Sequence, residues 1–416
     1  MIGIENIGFE YEGCGRLRDL PFLGTLGETE IGGMDTCKRK QIYADALALF
    51  GYMKNRLGLG DGASVLVCGC GARDILTAAL AVSMLGASLT LSETAPLSMS
   101  GFDLIISPRY SKGRHYISSD ELSTLILGER WTVDAPPEFS HRTATFGFIS
   151  KSKGREHYES YGERTLLTVG AEYLAASSLL PTDKQLSVLS PSSRDGFIFG
   201  LLAPAMIGAA SYYSPPSPTL IDRIRAASPT RLLCTPSVAR GLSDSIKRRD
   251  TKAHRYKNPI VCSNKPYSLR AVCNRIRKNV HERLLSIFPD DLPKAVTVIG
   301  DLPSAASKSL LNNGIYHISV LSFPGCPLAG YRDRRAPEGV WYLSPSLTVD
   351  MCNVQAGGIG SLTFRGSTVA DGTPVGLTFS PWQYRREIGE KASIVSDLYG
   401  FSLKNNRFFV KGRVNF

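Results

Sequence analysis

The stretch that sets the fold class is Gly60-Asp61-Gly62, followed by Ser64-Val65-Leu66-Val67-Cys68, Gly69-Cys70-Gly71, the run Asp74–Leu85, Gly86, Ala87–Leu91 and Glu93. Gly60-Asp61-Gly62 is a turn. Ser64–Cys68 is short, apolar and β-branched, which predicts a strand. Asp74–Leu85 carries apolar residues at helical spacing and stops at a glycine, which predicts a helix with a glycine cap. Ala87–Leu91 predicts a second strand. Strand, helix and strand of these lengths make a βαβ unit, so the sheet is parallel and the chain is α/β.

Working outward, Gln41–Leu57 has apolar residues at three- and four-residue steps and predicts an amphipathic helix, while residues 1–36 are Gly-rich and loop-like. Strands are expected at Leu104–Ser107, Thr145–Ser150, Leu186–Leu189, Ala210–Tyr213, Arg231–Thr235, Ile260–Ser263 and Val296–Ile299. Helices are expected at Leu166–Leu180, Phe197–Ile207, Pro218–Ala227, Ser237–Arg248, Ser268–Ile287 and Ser304–Asn312. After about Val320 the texture turns to short strands with Gly and Pro turns, at Gly339–Leu343, Gly360–Phe364 and Phe408–Lys411. The expected division is a first α/β subdomain (1–165), a second (166–320) and a β-rich subdomain (321–416).

The chain has 416 residues, 43% hydrophobic and 20% charged, enough for a large core. No apolar run reaches the roughly 18–20 residues of a membrane helix. The N-terminus has neither a basic nor an apolar leader region. Nine scattered cysteines fit reduced thiols, and no His or Cys pair has zinc spacing. A cytoplasmic protein without a membrane anchor and without a structural metal is expected. Charge is concentrated: Lys247–Arg283 has twelve Lys and Arg against Asp250 and Glu282, so it holds ten of the eleven net positive charges. Such a run is a solvated face or a docking surface for something acidic. With only Tyr256 and Tyr267 as stacking platforms, nucleic acid is not the expected partner.

Six further segments carry candidate chemistry. Phe148-Ile149-Ser150-Lys151-Ser152-Lys153-Gly154 follows a strand and is rich in the donors that suit phosphate. Pro191-Ser192-Ser193-Arg194-Asp195-Gly196-Phe197 opens a helix, and a guanidinium there suits a carboxylate. Thr230–Leu242 reads as strand, Thr-Pro loop and helix. Val296-Thr297-Val298-Ile299-Gly300-Asp301-Leu302-Pro303 is a strand closing on a loop. Leu321-Ser322-Phe323-Pro324-Gly325-Cys326-Pro327 is a turn. Val395-Ser396-Asp397-Leu398 and Asn406–Phe416, with Lys411-Gly412-Arg413, put an aspartate and an arginine on either side of a polar turn.

In order and spacing, from Gln41 to Phe416, these segments resemble the large N-terminal domain of the adenylate-forming ligases: acyl-CoA synthetases, aryl-acid ligases and the adenylation domains of peptide synthetases. The resemblance implies an α/β fold of two sheet-and-helix subdomains plus a C-terminal β-rich subdomain. It implies ATP and Mg2+ as cofactors and a small carboxylic acid as substrate, activated as an acyl adenylate and passed to a thiol or amine. By resemblance Ser150, Lys151, Ser152, Lys153 and Gly154 hold phosphates, Gly300 and Asp301 lie on the adenine side, Asp397 and Arg413 hold the ribose, and Arg194 meets the carboxylate. The basic segment 247–283 would receive an acidic carrier protein or coenzyme A. The small lid domain with its lysine, expected after the hinge near Asn415, would come from a separate protein or from a continuation of the chain past the hinge.

Departures accompany the likeness. Lys151 and Lys153 replace a glycine and a threonine of the phosphate loop, and Asp301 replaces a glycine. Cys326 and Pro327 stand where the resemblance expects the threonine that contacts the α-phosphate and the glutamate that helps hold magnesium. A second expectation is therefore a degenerate pseudo-ligase acting as a binding or scaffold partner in a biosynthetic pathway. A third is a methyltransferase or dehydrogenase, because Gly69-Cys70-Gly71 with Glu93 lays out like a dinucleotide or S-adenosylmethionine site, except that Asp74 sits where a third glycine belongs.

Overall fold

The computed structural model describes residues 16–20, 25–30, 33–96, 99, 101–108, 115–128, 138–152, 155–215, 220–257, 293–334, 336–352, 354, 359–370, 384–385 and 393–413. It is an α/β protein built on two sheets. The smaller sheet grows from the βαβ unit of the sequence. Strand β3 (Ser64–Cys68) leads through helix α2 (Ala72–Leu85) to β4 (Ser88–Ser92), and the two strands pair in parallel from Ser64↔Ser88 to Cys68↔Ser92. Twelve of the fourteen α2 residues are buried, as expected of an Ala- and Leu-rich helix covered on both sides. It ends at Gly86, whose φ of +69° is the left-handed cap; a Cβ there would lie 2.9 Å from the Arg142 carbonyl oxygen.

Strands β5 (Leu104–Ile106), β6 (Tyr116–Ile117), β7 (Thr145–Ser152) and β8 (Arg155–Gly162) complete that sheet in the order β6-β5-β3-β4-β7-β8. All pair in parallel except β8, which returns antiparallel to β7. Helix α1 (Arg39–Gly51) packs on α2, and α3 (Ser119–Gly128) follows β6.

The larger sheet begins as a parallel one. β9 (Lys184–Ser187), β10 (Ala210–Tyr213), β11 (Arg231–Cys234), β12 (Ala295–Ile299) and β13 (Tyr316–Phe323) lie in the order β13-β12-β11-β9-β10. Helices α4 (Glu163–Ser177), α5 (Ala203–Met206), α6 (Leu220–Ala227), α7 (Pro236–Lys257) and α8 (Ser304–Asn312) accompany them. From β13 the sheet turns antiparallel through β14 (Cys326–Arg332), β15 (Val340–Leu343), β20 (Arg407–Arg413), β19 (Ser393–Leu403), β17 (Gly360–Gly366) and β16 (Leu347–Cys352), with β18 (Tyr384–Arg385) on β19. Three apolar clusters fill the spaces among the described residues: one between the two sheets, reaching from the small sheet and its helices to α4, α5, Leu233 and Val320, one around β9, β11 and β12, and one in the antiparallel half around Phe323, Trp341, Phe364 and Phe408.

Several elements depart from the sequence reading. Residues 25–38, expected as loop, form the hairpin β1 (Thr25–Glu30) and β2 (Gly33–Lys38), and β1 joins β10 in parallel. The hairpin is polar and Gly-bearing, so it lacks the alternation that signals a strand; pairing to an existing sheet edge supplies the order. The helix expected over Gln41–Leu57 is α-helical to Gly51 and then opens into a π turn over Tyr52–Arg56. That expected over Phe197–Ile207 begins as a π-helix, Gly196–Leu202, before α5. Backbone pairing crosses both expected subdomain boundaries: β1 of the first segment sits in the second sheet, and β13 continues unbroken past residue 320. The strand expected at Ile260–Ser263 and the helix at Ser268–Ile287 lie outside the described residues. Among the described residues no helix is long and apolar enough to cross a membrane.

Candidate functional site in the strand-end crevice

Four parallel neighbours, β9, β11, β12 and β13, end along one edge of the large sheet. The chain goes from β9 to β10 on one side and then crosses back to β11 on the other. Such a reversal opens a crevice beyond the carboxyl ends of the strands, the place where open α/β sheets bind ligands. Three of the segments singled out in sequence converge there: Pro191–Phe197 after β9, Gly300-Asp301 after β12, and Ser322–Pro327 at the β13–β14 turn.

The loop after β9 is wound tightly. Ser193 Oγ donates to the Ser190 carbonyl at 2.6 Å, and the Gly196 amide donates to Ser193 Oγ at 3.1 Å. A Cβ on Gly196 would lie 1.9 Å from that same carbonyl oxygen, so only glycine fits. This winding delivers Arg194 into a buried polar knot. Its Nε donates to Asp195 Oδ1 at 2.8 Å, and Nη1 donates to Glu159 Oε2 and to the Phe323 carbonyl, each at 2.8 Å. Nη2 donates to Ser322 Oγ. Four of the five guanidinium N–H bonds are thereby spent on the protein itself. Burial pulls the Arg194 pKa down, but Asp195 and Glu159 more than offset it and hold it well above its ordinary value.

Glu159, on β8 of the small sheet, is the centre of the knot. Its Oε2 accepts from Arg194, from the Gly325 amide at 2.7 Å and from Tyr161 Oη. Ser322 Oγ donates to Asp195 Oδ1 at 2.9 Å. The expected substrate-binding arginine thus already has two carboxylates of its own, and the knot fastens the β13–β14 turn to the other sheet.

At that turn, Cys326 is 0% exposed among Leu321, Phe323 and Trp341, and burial pushes its thiol pKa upward. Pro327 is buried as well. Neither supplies an oxygen ligand facing the crevice, so the residues at the expected magnesium position do not fit that ion.

The loop after β12 is held by the Gly300 amide on the Val320 carbonyl at 2.8 Å. Gly300 has φ +119°, and a Cβ would come 3.0 Å from Pro236 Cγ. Asp301 pairs with Arg332 of β14. Burial raises the Asp301 pKa and Arg332 opposes the rise. The Arg332 guanidinium lies 5.2 Å from the centre of the Trp341 ring.

The expected phosphate loop takes a different form. β7 and β8 pair without a break up to Ser152↔Arg155, with Ser150↔His157 and Lys151↔Glu156 below, so the segment is a tight hairpin. Most of its backbone groups serve the ladder. Ser150 is exposed, and Lys151 Nζ is taken by Glu156 at 3.4 Å and by the Ala95 carbonyl at 3.1 Å. Lys153, Gly154 and the side chain of Ser152 lie outside the described residues.

Asp397 and Arg413 lie one residue out of register on neighbouring strands. Leu398 pairs with Arg413 across β19 and β20. On its other side β19 is irregular: pairing jumps from Ser361↔Tyr399 to Thr363↔Val395, leaving Ser396, Asp397 and Leu398 opposite Leu362 alone. Ser396 Oγ donates to the Leu362 carbonyl at 2.8 Å and fixes that bulge. Bulges of this kind are enriched beside functional sites because they re-aim a strand. Of the basic segment, α7 carries the residues to Lys257, and residues 258–292 lie outside the described ones.

At the glycine motif of the small sheet, the start of α2 is not open to phosphate. The partly buried Asp74 occupies it, its pKa raised by burial against a hydrogen bond from Ser119. Cys70 Sγ fills the space beside it, 3.6 Å from the Ile106 carbonyl and 3.7 Å from Ser119 Oγ.

Glu159, Tyr161, Arg332 and Trp341 were not singled out in the sequence. Glu159 and Tyr161 share a face of β8, a period-two signal legible only once Arg155–Gly162 is read as a strand.

In architecture the chain is similar to solved adenylation domains. The structure is similar to VinN in complex with L-aspartate, with TM-score 0.67 and 13% identity over 93% of this chain and 94% of that one. It is similar to the adenylation domain of a keto acid-selecting NRPS module bound to a keto acyl adenylate, with TM-score 0.65 and 13% identity over 94% and 80%. It is also similar to the Klebsiella oxytoca NpsA N-terminal subdomain in complex with 3-hydroxybenzoyl-AMSN, with TM-score 0.65 and 16% identity over 96% and 100%. No family model and no curated protein matches the sequence. At these identities the likeness carries the fold.

Proposed function

We propose that this chain uses the adenylate-forming fold to bind the nucleoside part of a nucleotide or acyl adenylate, and serves as a binding partner in carboxylate-activating biosynthesis without activating the acid by itself. The observation that carries this reading is the Glu159–Arg194 knot. It spends the guanidinium, an aspartate, a serine and the Gly325 amide on one another at the turn where activation would need groups free to meet phosphate, metal and carboxylate. In this reading Asp397 in its bulge and Arg413, which pairs with the neighbouring Leu398, are assigned to the ribose, with Gly300 and Asp301 on the base side.

A second reading keeps the activity. Carboxylate and ATP give an acyl adenylate and pyrophosphate, and an acidic carrier protein or coenzyme A docks on 247–283. The parallel strand ends that bring the β9, β12 and β13–β14 loops together favour it, because they are where an open α/β sheet holds its reactants. In it Ser150, Lys151, Ser152, Lys153 and Gly154 lie on the phosphate side and Mg2+ is held by groups other than Cys326 and Pro327.

Calorimetric titration with ATP and AMP, with and without magnesium, tests the proposal alongside carboxylate-dependent pyrophosphate exchange. Binding that is indifferent to magnesium and lost in Asp397→Ala, with no exchange for any acid, is the expected result. Exchange by the wild-type chain would overturn it in favour of the ligase. No binding of either nucleotide would overturn both.

A further inference from the structure

Residues 138–142 form one wall of a groove of about 460 Å3, a volume within the roughly 300–1,000 Å3 of small-molecule sites. The facing wall is Lys54 of the π turn with Leu59 and Asp61 of the turn before β3. Phe50 and Leu85, both buried, form the base. Asp61, Leu85 and Arg142 stand just before β3, β4 and β7, whose first residues Ser64, Ser88 and Thr145 pair side by side. The groove therefore opens at the amino ends of the small sheet's strands. It shares no residue with the crevice at the carboxyl ends of the large one.

The wall 138–142 is held from outside the groove. Arg16 Nη1 and Arg18 Nη1 donate to the Ser140 carbonyl at 2.6 and 2.9 Å, and Arg16 Nη2 donates to the His141 carbonyl. The Ser140 amide donates to the Met84 carbonyl at 2.9 Å. Two cations then bridge the walls, one at each end of the segment. Lys54 Nζ donates to the Glu138 carbonyl at 3.1 Å, and Arg142 Nε lies 2.8 Å from Asp61 Oδ2. An ammonium and a guanidinium each carry more N–H donors than one such contact uses, so both bridges keep donors for a ligand. The groove is thus pre-formed, with fixed walls and two cations on its rim.

What lies between the bridges selects the ligand. Phe50, Leu59, Leu85 and Phe139 are apolar, so they call for an apolar body. A cationic ligand would compete with the chain's own cations. Lys54 Nζ lies 5.5 Å from the centre of the Phe50 ring and the Arg18 guanidinium 5.1 Å from that of Phe139. Lys54 and Arg142 on the rim, with Arg16 and Arg18 against the wall, attract negative charge. Asp61 and Glu138 on the same rim limit how much: one carboxylate is matched, whereas a phosphate dianion also meets two acids. We propose that this groove is a binding site for a carboxylic acid with an apolar tail. The inference goes beyond the proposed function and does not depend on it.

The experiment is calorimetric titration of the full chain with octanoate, octanol, octylamine and octyl phosphate, repeated on Lys54→Met and Leu59→Asp. Wild-type protein should bind octanoate most tightly and octylamine least. Lys54→Met keeps a stem over Phe50 and removes the charge. It should weaken octanoate by about three- to ten-fold, as for an exposed charge-assisted contact, and leave octanol unchanged. Leu59→Asp puts an acid into the apolar lining and should weaken octanoate and octanol alike by about ten-fold or more. Lys54 is exposed and Leu59 partly so, and a urea midpoint close to that of the wild type checks that each variant is folded. Octylamine or octyl phosphate bound as tightly as octanoate would overturn the inference. So would the absence of any octanoate binding. Octanoate bound equally by the wild type and both variants would place it elsewhere on the chain and overturn the inference too. None of these results bears on nucleotide binding, which titration of the same samples with AMP reads separately.

Discussion

Glu163 shows what a single side chain contributes here. It is 0% exposed; its Oε1 accepts from the Leu17 amide at 3.1 Å and from Ser83 Oγ, and its Oε2 accepts from the Ala144 amide at 3.1 Å. Burial raises its pKa above the ordinary 4.5, and these hydrogen bonds only partly oppose the rise. The folded state therefore binds a proton that the unfolded state has already released. The stabilisation is fully present below 4.5 and is lost as pH rises through the folded value. Stability against urea should accordingly fall as pH rises through the window starting at 4.5, by up to about 1.4 kcal/mol per pH unit for one proton. Glu163→Gln should be less stable throughout, because an amide cannot accept from both sides, but its slope across that window should be flatter. Urea midpoints measured at steps of pH decide this; an unchanged slope in the variant would assign the dependence to another group. Nothing in the sequence announces the role, since the partners lie 146 and 80 residues away in the chain. The same distance hides the Arg194 knot. The sequence marks Arg194 as a binding arginine, yet what decides its role is Glu159, 35 residues upstream, and Ser322, 128 downstream.

Elements are more legible, and the failures share a cause. Ser64–Cys68, Ala210–Tyr213 and Ser304–Asn312 stand where periodicity and turn residues put them, because each has its own apolar face and a clear stop. The β1–β2 hairpin and β8 were missed because their order comes from a neighbouring strand and not from their own pattern. The bulge at Asp397 is equally silent in sequence, since two extra residues in β19 have meaning only against β17. The π-helix at Gly196–Leu202 stands where the sequence predicts an ordinary helix over Phe197–Ile207, because the i→i+5 pattern leaves no mark on the apolar spacing. Gly196→Ala would drive a methyl group to 1.9 Å from a backbone oxygen that cannot step aside. It should cost about 3 kcal/mol, the upper part of the usual overpacking range. Gly241 is the contrast: it is helical, in α7, and a Cβ there meets nothing within 4 Å. Gly241→Ala should raise stability by about 0.5–1 kcal/mol. Urea denaturation of the two variants side by side checks both signs, and a well-folded, fully stable Gly196→Ala protein would mean that the winding of the β9 loop is not fixed by that glycine.

At the scale of the molecule, two sheets must be held in register for a crevice at the edge of one to keep its shape. Apolar contact supplies part of this, since the first cluster runs from the small sheet to Leu233 and Val320 of the large one. The directional part is the knot, where Glu159 of β8 reaches Arg194 and Gly325 of the large sheet. Arg194 and Glu159 are 10% and 6% exposed, so neither charge has water to fall back on. Removing one partner of such a pair costs about 3–5 kcal/mol because a buried charge is left alone, whereas removing both costs much less. Arg194→Met should therefore lower stability by about that amount, Glu159→Gln by somewhat less because the Gly325 amide and Tyr161 keep an acceptor oxygen, and the double variant by clearly less than the two added together. A double-mutant cycle from urea midpoints measures the coupling. The double variant carries the functional argument as well: without the Arg194 bonds to Glu159, Phe323 and Ser322 the β13–β14 turn is tied less firmly to the other sheet, so nucleotide affinity should fall even though neither residue is assigned to the nucleoside. Affinity unchanged in a folded double variant would show that the crevice keeps its shape without the knot. Arg194 and Glu159 would then be there for stability alone.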